Sequence, residues 1–360
     1  MWHTFTDLLT YVGIVLMGLL VWAALSPFEV MGWWAGWFGD RIYDGGVNPP
    51  HPPDADEFAN PAAYLIFISG VGKASGETLS FREQEFLRRL DRATPGLVVI
   101  DDTFPYSVNN LPLTGQPFFA RLWRWALARK LHGPKLAGYL INIRNIWQLL
   151  ISADKRYGPL YNQAVAQVLL HALIRHKYQP DAAKPVFLLG YSGAAQLAVG
   201  PAIYLKELLQ APIFIISLGG VFASEPSLMA ADHTYHIEGD RDLIPRWGLL
   251  APGRWRLAGM SDFNRARRQG KFTLIRTQGM GHTSRGGYLD HKMFLPDGTA
   301  YADHTVRIVS EIIRRHATLV GVIDGAASAT VADASRPVES AQEDVAQPLV
   351  PQARESTAGR

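Results

Sequence analysis

The sequence predicts an α/β fold in which a mostly parallel sheet has helices on both faces. Six short apolar runs are each suited to a buried strand, and stretches of helical character separate most of them. Strands that are apolar throughout, rather than alternating, indicate burial on both faces, which is typical of parallel sheets. The runs lie at 63–69, 97–101, 186–189, 212–216, 234–238 and 272–276. We expect one domain over 61–320 to contain them.

The N-terminal segment, residues 1–40, is predicted to be a membrane anchor with aromatic flanks. Residues 8–25 carry no charge, and as a helix they would cross a hydrocarbon core of about 30 Å. Tryptophans on both sides suit the two membrane interfaces. A cleaved signal peptide is the alternative, but it normally begins with Lys or Arg, which this segment lacks. A buried core helix is less favoured because no polar face interrupts the run.

The predicted domain lies between two segments of biased composition. Prolines concentrate in 41–60, which we interpret as a stiff spacer. Ala, Ser, Pro, Glu and Gln dominate from 325 onward, and 321–360 is therefore predicted to be a disordered tail.

Residues 103–157 fit the alternation of strands and helices poorly. This interval is rich in Phe and Trp and also contains several prolines. An apolar helical insertion after the second strand is expected to form a lid or cap over a substrate pocket. Extra helical packing against the domain is the alternative.

Composition excludes several classes of function. The formal charge of +3 is small for 360 residues and gives no reason to expect nucleic-acid binding. There is no cysteine, so disulfides and thiolate chemistry are excluded. No metal-ligand motif or phosphate-binding loop is present, and we expect no cofactor and no metal. Basic clusters at 121–130 and 265–271 are interpreted as solvated surface, with contact to anionic lipid as the alternative.

Ser192 is the candidate nucleophile. It lies at the centre of Gly-Tyr-Ser-Gly-Ala, directly after the apolar run 186–189. Small residues at Gly190 and Ala194 allow a strand and a helix to approach each other around a tight turn. Gly193 would then offer its backbone N–H to a developing oxyanion. The alternative is an ordinary turn with a serine cap.

A candidate acid and a candidate base follow two later strands. Asp240 and Asp242 come after 234–238, and His282 comes after 272–276. A serine hydroxyl is a weak nucleophile near neutral pH, so an imidazole must accept its proton. A carboxylate then orients the imidazole and stabilises its charged form.

Each of these residues also has a structural interpretation. An aspartate in such a loop can serve as a turn residue or a cap, and a loop histidine can bind backbone. Glu225 is the reserve acid and His291 the reserve base. His233 and His236, in or beside a strand, and His171 and His176, on the helix before the serine turn, are predicted to be structural.

The order nucleophile, acid, histidine, each after its own strand, resembles the α/β-hydrolase superfamily over about 62–317. The resemblance implies that Asp242, rather than Asp240, is the acid and that His282 is the base. It also implies oxyanion donors at Gly193 and at Val71, in the loop Gly70-Val71-Gly72. The chain departs from the family's pattern at Ala194, where glycine is usual, at Pro201, which should interrupt the following helix, and in lacking the first two edge strands.

The resemblance implies a membrane-anchored serine hydrolase that cleaves an acyl ester or thioester, with a lipid-like substrate as one option. Peptidases and acyltransferases use the same machinery. A catalytically silent hydrolase fold, acting as a membrane-tethered binding or scaffolding module, is the alternative. The sequence leaves the acyl chain, the side of the membrane and the oligomeric state open.

Overall fold

A six-stranded parallel sheet forms the centre of the computed structural model, which describes residues 2–37, 42–43, 61–76, 79–115, 120–132, 136–283 and 285–333. The spatial order of the strands is β2-β1-β3-β4-β5-β6. The predicted α/β class with a parallel sheet is therefore confirmed. The strands are β1 (Ala63–Ile68), β2 (Leu97–Ile100), β3 (Val186–Tyr191), β4 (Ile213–Leu218), β5 (His233–Gly239) and β6 (Phe272–Thr277). No strand precedes β1 among the described residues.

The central strands are buried along their whole length. Every residue of β1, β3 and β4 is buried, whereas β6, at one edge, is mostly partly exposed. The chain first adds β2 on one side of β1 and then returns to add β3 on the other. Such a reversal opens a crevice at the carboxyl ends of the two strands, where α/β proteins commonly bind ligands.

Helices cover both faces of the sheet. The helices of the described residues are α1 (Trp2–Leu25), α2 (Phe28–Trp34), α3 (Phe81–Ala93), α4 (Ala120–His132), α5 (Leu136–Ala153), α6 (Gly158–Arg175), α7 (Ala195–Val199), α8 (Ala202–Leu209), α9 (Ser227–Ala230), α10 (Asp262–Arg268) and α11 (Tyr301–Asp333), of which α1 is largely exposed. Because successive strand side chains point to opposite faces, Leu188 packs with α6, α7 and α8, whereas Phe187 and Leu189 pack with α3 and α11.

Two local features of the sequence set helix limits in the structure. Ser80 caps α3, and the Glu83 side chain accepts a hydrogen bond from the Ser80 backbone N–H in return, which forms a capping box. Pro201 separates α7 from α8, since proline cannot continue the hydrogen-bonding pattern of a helix.

The insertion at 103–157 contains α4 and α5, which pack against each other and against the N-terminal helices. Trp22 of α1 lies 5.9 Å from Trp123 of α4, measured between ring centroids. Arg144 of α5 forms an ion pair with Glu29 of α2 at 2.8 Å, and the arginine is almost fully buried. The insertion is thus tied to the first helices of the chain, and its movement as a lid stays a prediction.

The terminal predictions fall partly outside the described residues. Residues 8–25 lie within α1; no described helix has the length and apolar character that crossing a membrane requires. Of the predicted spacer 41–60, only 42–43 are described. Helix α11 continues to Asp333, so the first part of the segment predicted to be disordered is helical. Residues 334–360 lie outside the described part of the chain.

Candidate active site

Ser192 stands at a tight turn between β3 and α7. Its φ angle is +59°, in the left-handed region that a side chain other than glycine occupies only at a cost of about 1–3 kcal/mol. A Cβ placed at Gly190 would lie 2.6 Å from the Ala195 Cα, so only glycine fits there. The strained turn holds the serine at the carboxyl end of the sheet.

Asp242 is buried in the loop after β5. Its Oδ1 accepts a hydrogen bond from the Ile244 backbone N–H at 2.9 Å. Its Oδ2 accepts one from the Tyr288 hydroxyl at 2.8 Å and lies 2.7 Å from Nδ1 of His282. The carboxylate therefore has a fixed orientation toward the imidazole.

His282 connects the serine to the aspartate. Its Nε2 lies 2.7 Å from the Ser192 Oγ, and its Nδ1 lies 2.7 Å from the Asp242 Oδ2. Because a carboxylate can only accept, Nδ1 carries the proton, and Nε2 is left to accept the serine hydroxyl. Tyr191 stacks on the ring, with centroids 5.5 Å apart, and its hydroxyl donates to the His282 carbonyl at 2.8 Å.

Tyr288 is a site residue that the sequence did not indicate. It is fully buried, and its hydroxyl donates to Asp242 while accepting the Gly239 backbone N–H at 2.8 Å. Burial is the main cause that raises the pKa of Tyr288 far above its ordinary value, so the hydroxyl stays protonated. Tyr288 belongs to no sequence motif from which this contact could be predicted.

The two predicted oxyanion donors lie next to each other. A Cβ at Gly193 would come within 2.9 Å of the Val71 side chain and within 2.6 Å of Leu149. In the turns, loops and caps of the described residues, neither Val71 nor Gly193 uses its N–H in a hydrogen bond. Both N–H groups are therefore candidates to bind a ligand oxygen.

Asn145 of α5 holds the Val71 loop from behind. Its side-chain Nδ2 donates to the carbonyl oxygens of Val71 and Lys73, both at 2.7 Å, and the residue has no exposed surface. In the sequence, Asn145 belongs to no motif that indicates this contact. The fold makes it a support for the loop after β1.

A cavity of about 730 Å³ opens above the serine and the histidine. The loops after β1, β3, β5 and β6 line it, and Leu127 of α4 contributes one wall. Lys73 and Arg82 are among its lining residues. Burial lowers the pKa of Lys73 to about 8, against the opposing effect of Glu83 and other nearby carboxylates.

The alternative acids and base lie elsewhere. Asp240 is exposed at the end of β5. Glu225 lines a second cavity, of about 810 Å³, and accepts a hydrogen bond from Gln196 at 3.0 Å. Burial raises the pKa of Glu225 to about 7. His291 packs edge-on against Phe81, with centroids 5.5 Å apart.

The other histidines bind structural partners. His236 is buried against Ser217, with Nδ1 and Oγ 2.9 Å apart, and burial lowers its pKa to about 3. His233 lies 2.8 Å from the Thr273 hydroxyl, and His176 lies 3.1 Å from Asp102. Among the residues the structure describes, no group of three or more potential ligands could hold a metal ion.

Comparison with families and curated proteins identifies no relative of this chain. No protein-family model matches the chain, and a search of curated proteins finds no significant match.

Proposed function

We propose that the protein is a serine hydrolase of the α/β-hydrolase type, which cleaves an acyl ester or thioester through an acyl-enzyme on Ser192. One observation carries the proposal. Hydrogen-bonding contacts at 2.7 Å run without interruption from Ser192 to His282 and from His282 to Asp242. The serine also stands on a strained turn beside the backbone amides of Gly193 and Val71, as a nucleophile of this type requires.

In the proposed reaction, His282 Nε2 takes the Ser192 proton as Oγ attacks the acyl carbonyl carbon. The carbonyl electron pair moves to oxygen, and the N–H groups of Gly193 and Val71 stabilise the resulting oxyanion, each by about 3 kcal/mol. As the intermediate collapses, the bond to the alcohol or thiol breaks, and the imidazolium returns its proton to that leaving group. Asp242 stabilises the imidazolium while it lasts.

Water then completes the cycle. His282 removes a proton from water as the oxygen attacks the acyl-enzyme carbonyl carbon. As the second tetrahedral intermediate collapses, the bond between the acyl carbon and the Ser192 Oγ breaks, the imidazolium returns its proton to Oγ, and the free acid leaves. Tyr288 and Asn145 touch neither substrate nor reacting atoms in this scheme. They are positioning residues, one for Asp242 and one for the Val71 loop.

Membrane attachment through 8–25 is part of the same proposal. It is supported by the uncharged apolar sequence and by large apolar side chains exposed on α1, among them Tyr11, Ile14 and Met17. Attachment would bring a lipid-like acyl substrate close to the cavity. Resistance of the full chain to carbonate extraction from membranes tests this part, and complete release into the soluble fraction would contradict it.

A fluorophosphonate probe tests the nucleophile. We expect covalent labelling of the wild type, loss of labelling in Ser192→Ala and His282→Ala, and full labelling in Ser224→Ala. Ser224 is a suitable control because it is partly exposed, as Ser192 is, and lines the second cavity instead. Equal labelling of the wild type and Ser192→Ala would refute the proposal. An unlabelled wild type with no burst of p-nitrophenol from a short acyl ester would favour the silent binding module.

A further inference from the structure

The loop that follows Asp242 exposes an unusual amount of apolar surface. Leu257 is 96% exposed, Met260 88% and Leu250 80%. Trp247 and Trp255 are also at least half exposed. Soluble surfaces rarely leave large apolar side chains grouped in this way, and such groups mark contact sites. We refer to residues 243–260 as the 243–260 loop.

The charges of the 243–260 loop have a single sign. It contains Arg246, Arg254 and Arg256 and no acidic residue. Arg246 and Arg256 are exposed, and neither side chain has a hydrogen-bond partner among the described residues. In α10, which follows, Asp262 pairs with Arg265 at 3.1 Å, and Arg267 and Arg268 are exposed. The loop is therefore both apolar and cationic.

The backbone of the loop is held in place. The Trp255 indole N–H donates to the Leu249 carbonyl at 2.6 Å, and Asn264 donates to the carbonyls of Trp255 and Ala258 at 2.8 and 2.9 Å. Arg254 is folded beneath the loop, with its guanidinium 4.3 Å from the centre of the Phe222 ring. The exposed apolar side chains are thus presented by an ordered segment.

The loop also lies at the functional edge of the sheet. It begins after the carboxyl end of β5, and its residue Ile244 lines the cavity that contains Ser192. Ala251, Pro252, Gly253 and Met260 of the same loop line the second cavity, which also contains Glu225. The loop therefore borders both cavities.

We propose that the 243–260 loop docks on the surface of an anionic lipid bilayer. Leucine, methionine and tryptophan side chains enter the boundary between headgroups and acyl chains, where tryptophan is favoured because its ring is apolar and its N–H polar. Arg246 and Arg256 bind the lipid phosphates, and the absence of acidic residues removes repulsion from the membrane. This contact is separate from the N-terminal segment and needs no catalytic activity.

A local fluorescence probe tests the proposal on the full chain. Because the chain has no cysteine, Leu257→Cys can be labelled with a single environment-sensitive dye. Asp181→Cys is the matched control, since Asp181 is exposed just before β3, at the amino ends of the strands, whereas the 243–260 loop follows a carboxyl end. Vesicles contain phosphatidylcholine alone or mixed with phosphatidylglycerol. A dye reports its own surroundings, so attachment elsewhere in the chain does not imitate loop insertion.

We expect the dye at 257 to shift to shorter wavelength with mixed vesicles, much less with phosphatidylcholine alone, and the dye at 181 to stay unchanged. Arg246→Gln combined with Arg256→Gln should raise the lipid concentration for half-maximal shift by about 25-fold, about fivefold for each arginine. The corresponding lysine variants keep the charge and should respond as the parent does. They also serve as the reference if the glutamine variants unfold at a lower temperature.

Three results would overturn the proposal. The first is an equal response at 257 and 181, which would mean that the loop does not insert. The second is an equal response to both lipid mixtures or to the parent and glutamine variants, because charge would then have no role. The third is a shift without lipid that grows with protein concentration, which would identify a second copy of the chain as the occupant.

Discussion

Replacing Tyr288 with phenylalanine tests how the candidate acid is held in place. The change keeps a ring of the same size in a fully buried position and removes one oxygen. That oxygen makes two hydrogen bonds of 2.8 Å, donating to the Asp242 Oδ2 and accepting the Gly239 N–H. Burial keeps the Tyr288 pKa far above its ordinary value, so the lost group is a neutral donor at any working pH.

The expected losses follow from those two bonds. The Gly239 N–H is left buried without a partner, which costs about 1–3 kcal/mol. Asp242 loses one donor but keeps the Ile244 N–H and the His282 Nδ1–H. We expect the free energy of unfolding to fall by about 2–4 kcal/mol in total. Because the carboxylate is then less firmly oriented toward His282, kcat should fall about tenfold with little change in KM.

Tyr161→Phe is the matched control. The Tyr161 hydroxyl donates to the Pro105 carbonyl at 2.9 Å, and the residue is also fully buried, but it does not contact the triad. Urea unfolding should show both variants destabilised. Hydrolysis of a short p-nitrophenyl ester should slow only in Tyr288→Phe. Equal kcat values for the two variants would show that Asp242 does not depend on Tyr288, and the positioning role would be lost.

Two further substitutions test other parts of the site. Asn145→Ala removes both hydrogen bonds that hold the Val71 loop, so we expect kcat for ester hydrolysis to fall about tenfold. Asn142→Ala, on the same helix, should retain the wild-type kcat. Equal kcat values for the two variants would exclude the supporting role of Asn145. For Glu225→Gln, burial raises the folded pKa from 4.5 to about 7, so wild-type stability falls as pH rises through that interval. Chemical unfolding should show the variant to be more stable above pH 7 by up to about 3 kcal/mol and equal to the wild type near pH 4. A stability difference that does not change with pH would contradict this. We expect kcat to stay unchanged, because Glu225 lines the second cavity.

The three side chains that contact one another in the candidate active site could be predicted from the sequence, because each has a local signal. Ser192 directly follows β3, Asp242 lies three residues after β5, and His282 lies five residues after β6, and all of these strands are parallel. Parallel strands bring their carboxyl ends to one edge of the sheet, so three local signals become one place in space. Strand limits could be predicted to within about two residues. For β1, β3 and β4 the reason is that a strand buried on both faces is a continuous apolar run.

The supporting residues could not be found in this way. Tyr288 lies 46 positions from Asp242, and Asn145 lies 74 positions from Val71. Their contacts depend on side-chain directions at the ends of different elements, and neither residue belongs to a pattern with a required spacing. A single tyrosine or asparagine is compatible with many environments, so only the fold selects these two.

The exposure of the 243–260 loop could not be predicted from the sequence either. Its composition is visible in the sequence, but an apolar run such as Gly248-Leu249-Leu250-Ala251 is equally consistent with burial in a core. Short helical turns at Ile244–Leu250 and Pro252–Arg254 decide the matter, because they turn leucine and tryptophan side chains outward while Arg254 occupies the space beneath. The arginine thus lies beneath the loop, where an apolar side chain would be usual, and the apolar side chains lie on the surface. Exposing these side chains costs apolar hydration, and backbone and side-chain hydrogen bonds hold the loop in this arrangement. Contact with a lipid surface would remove that hydration cost.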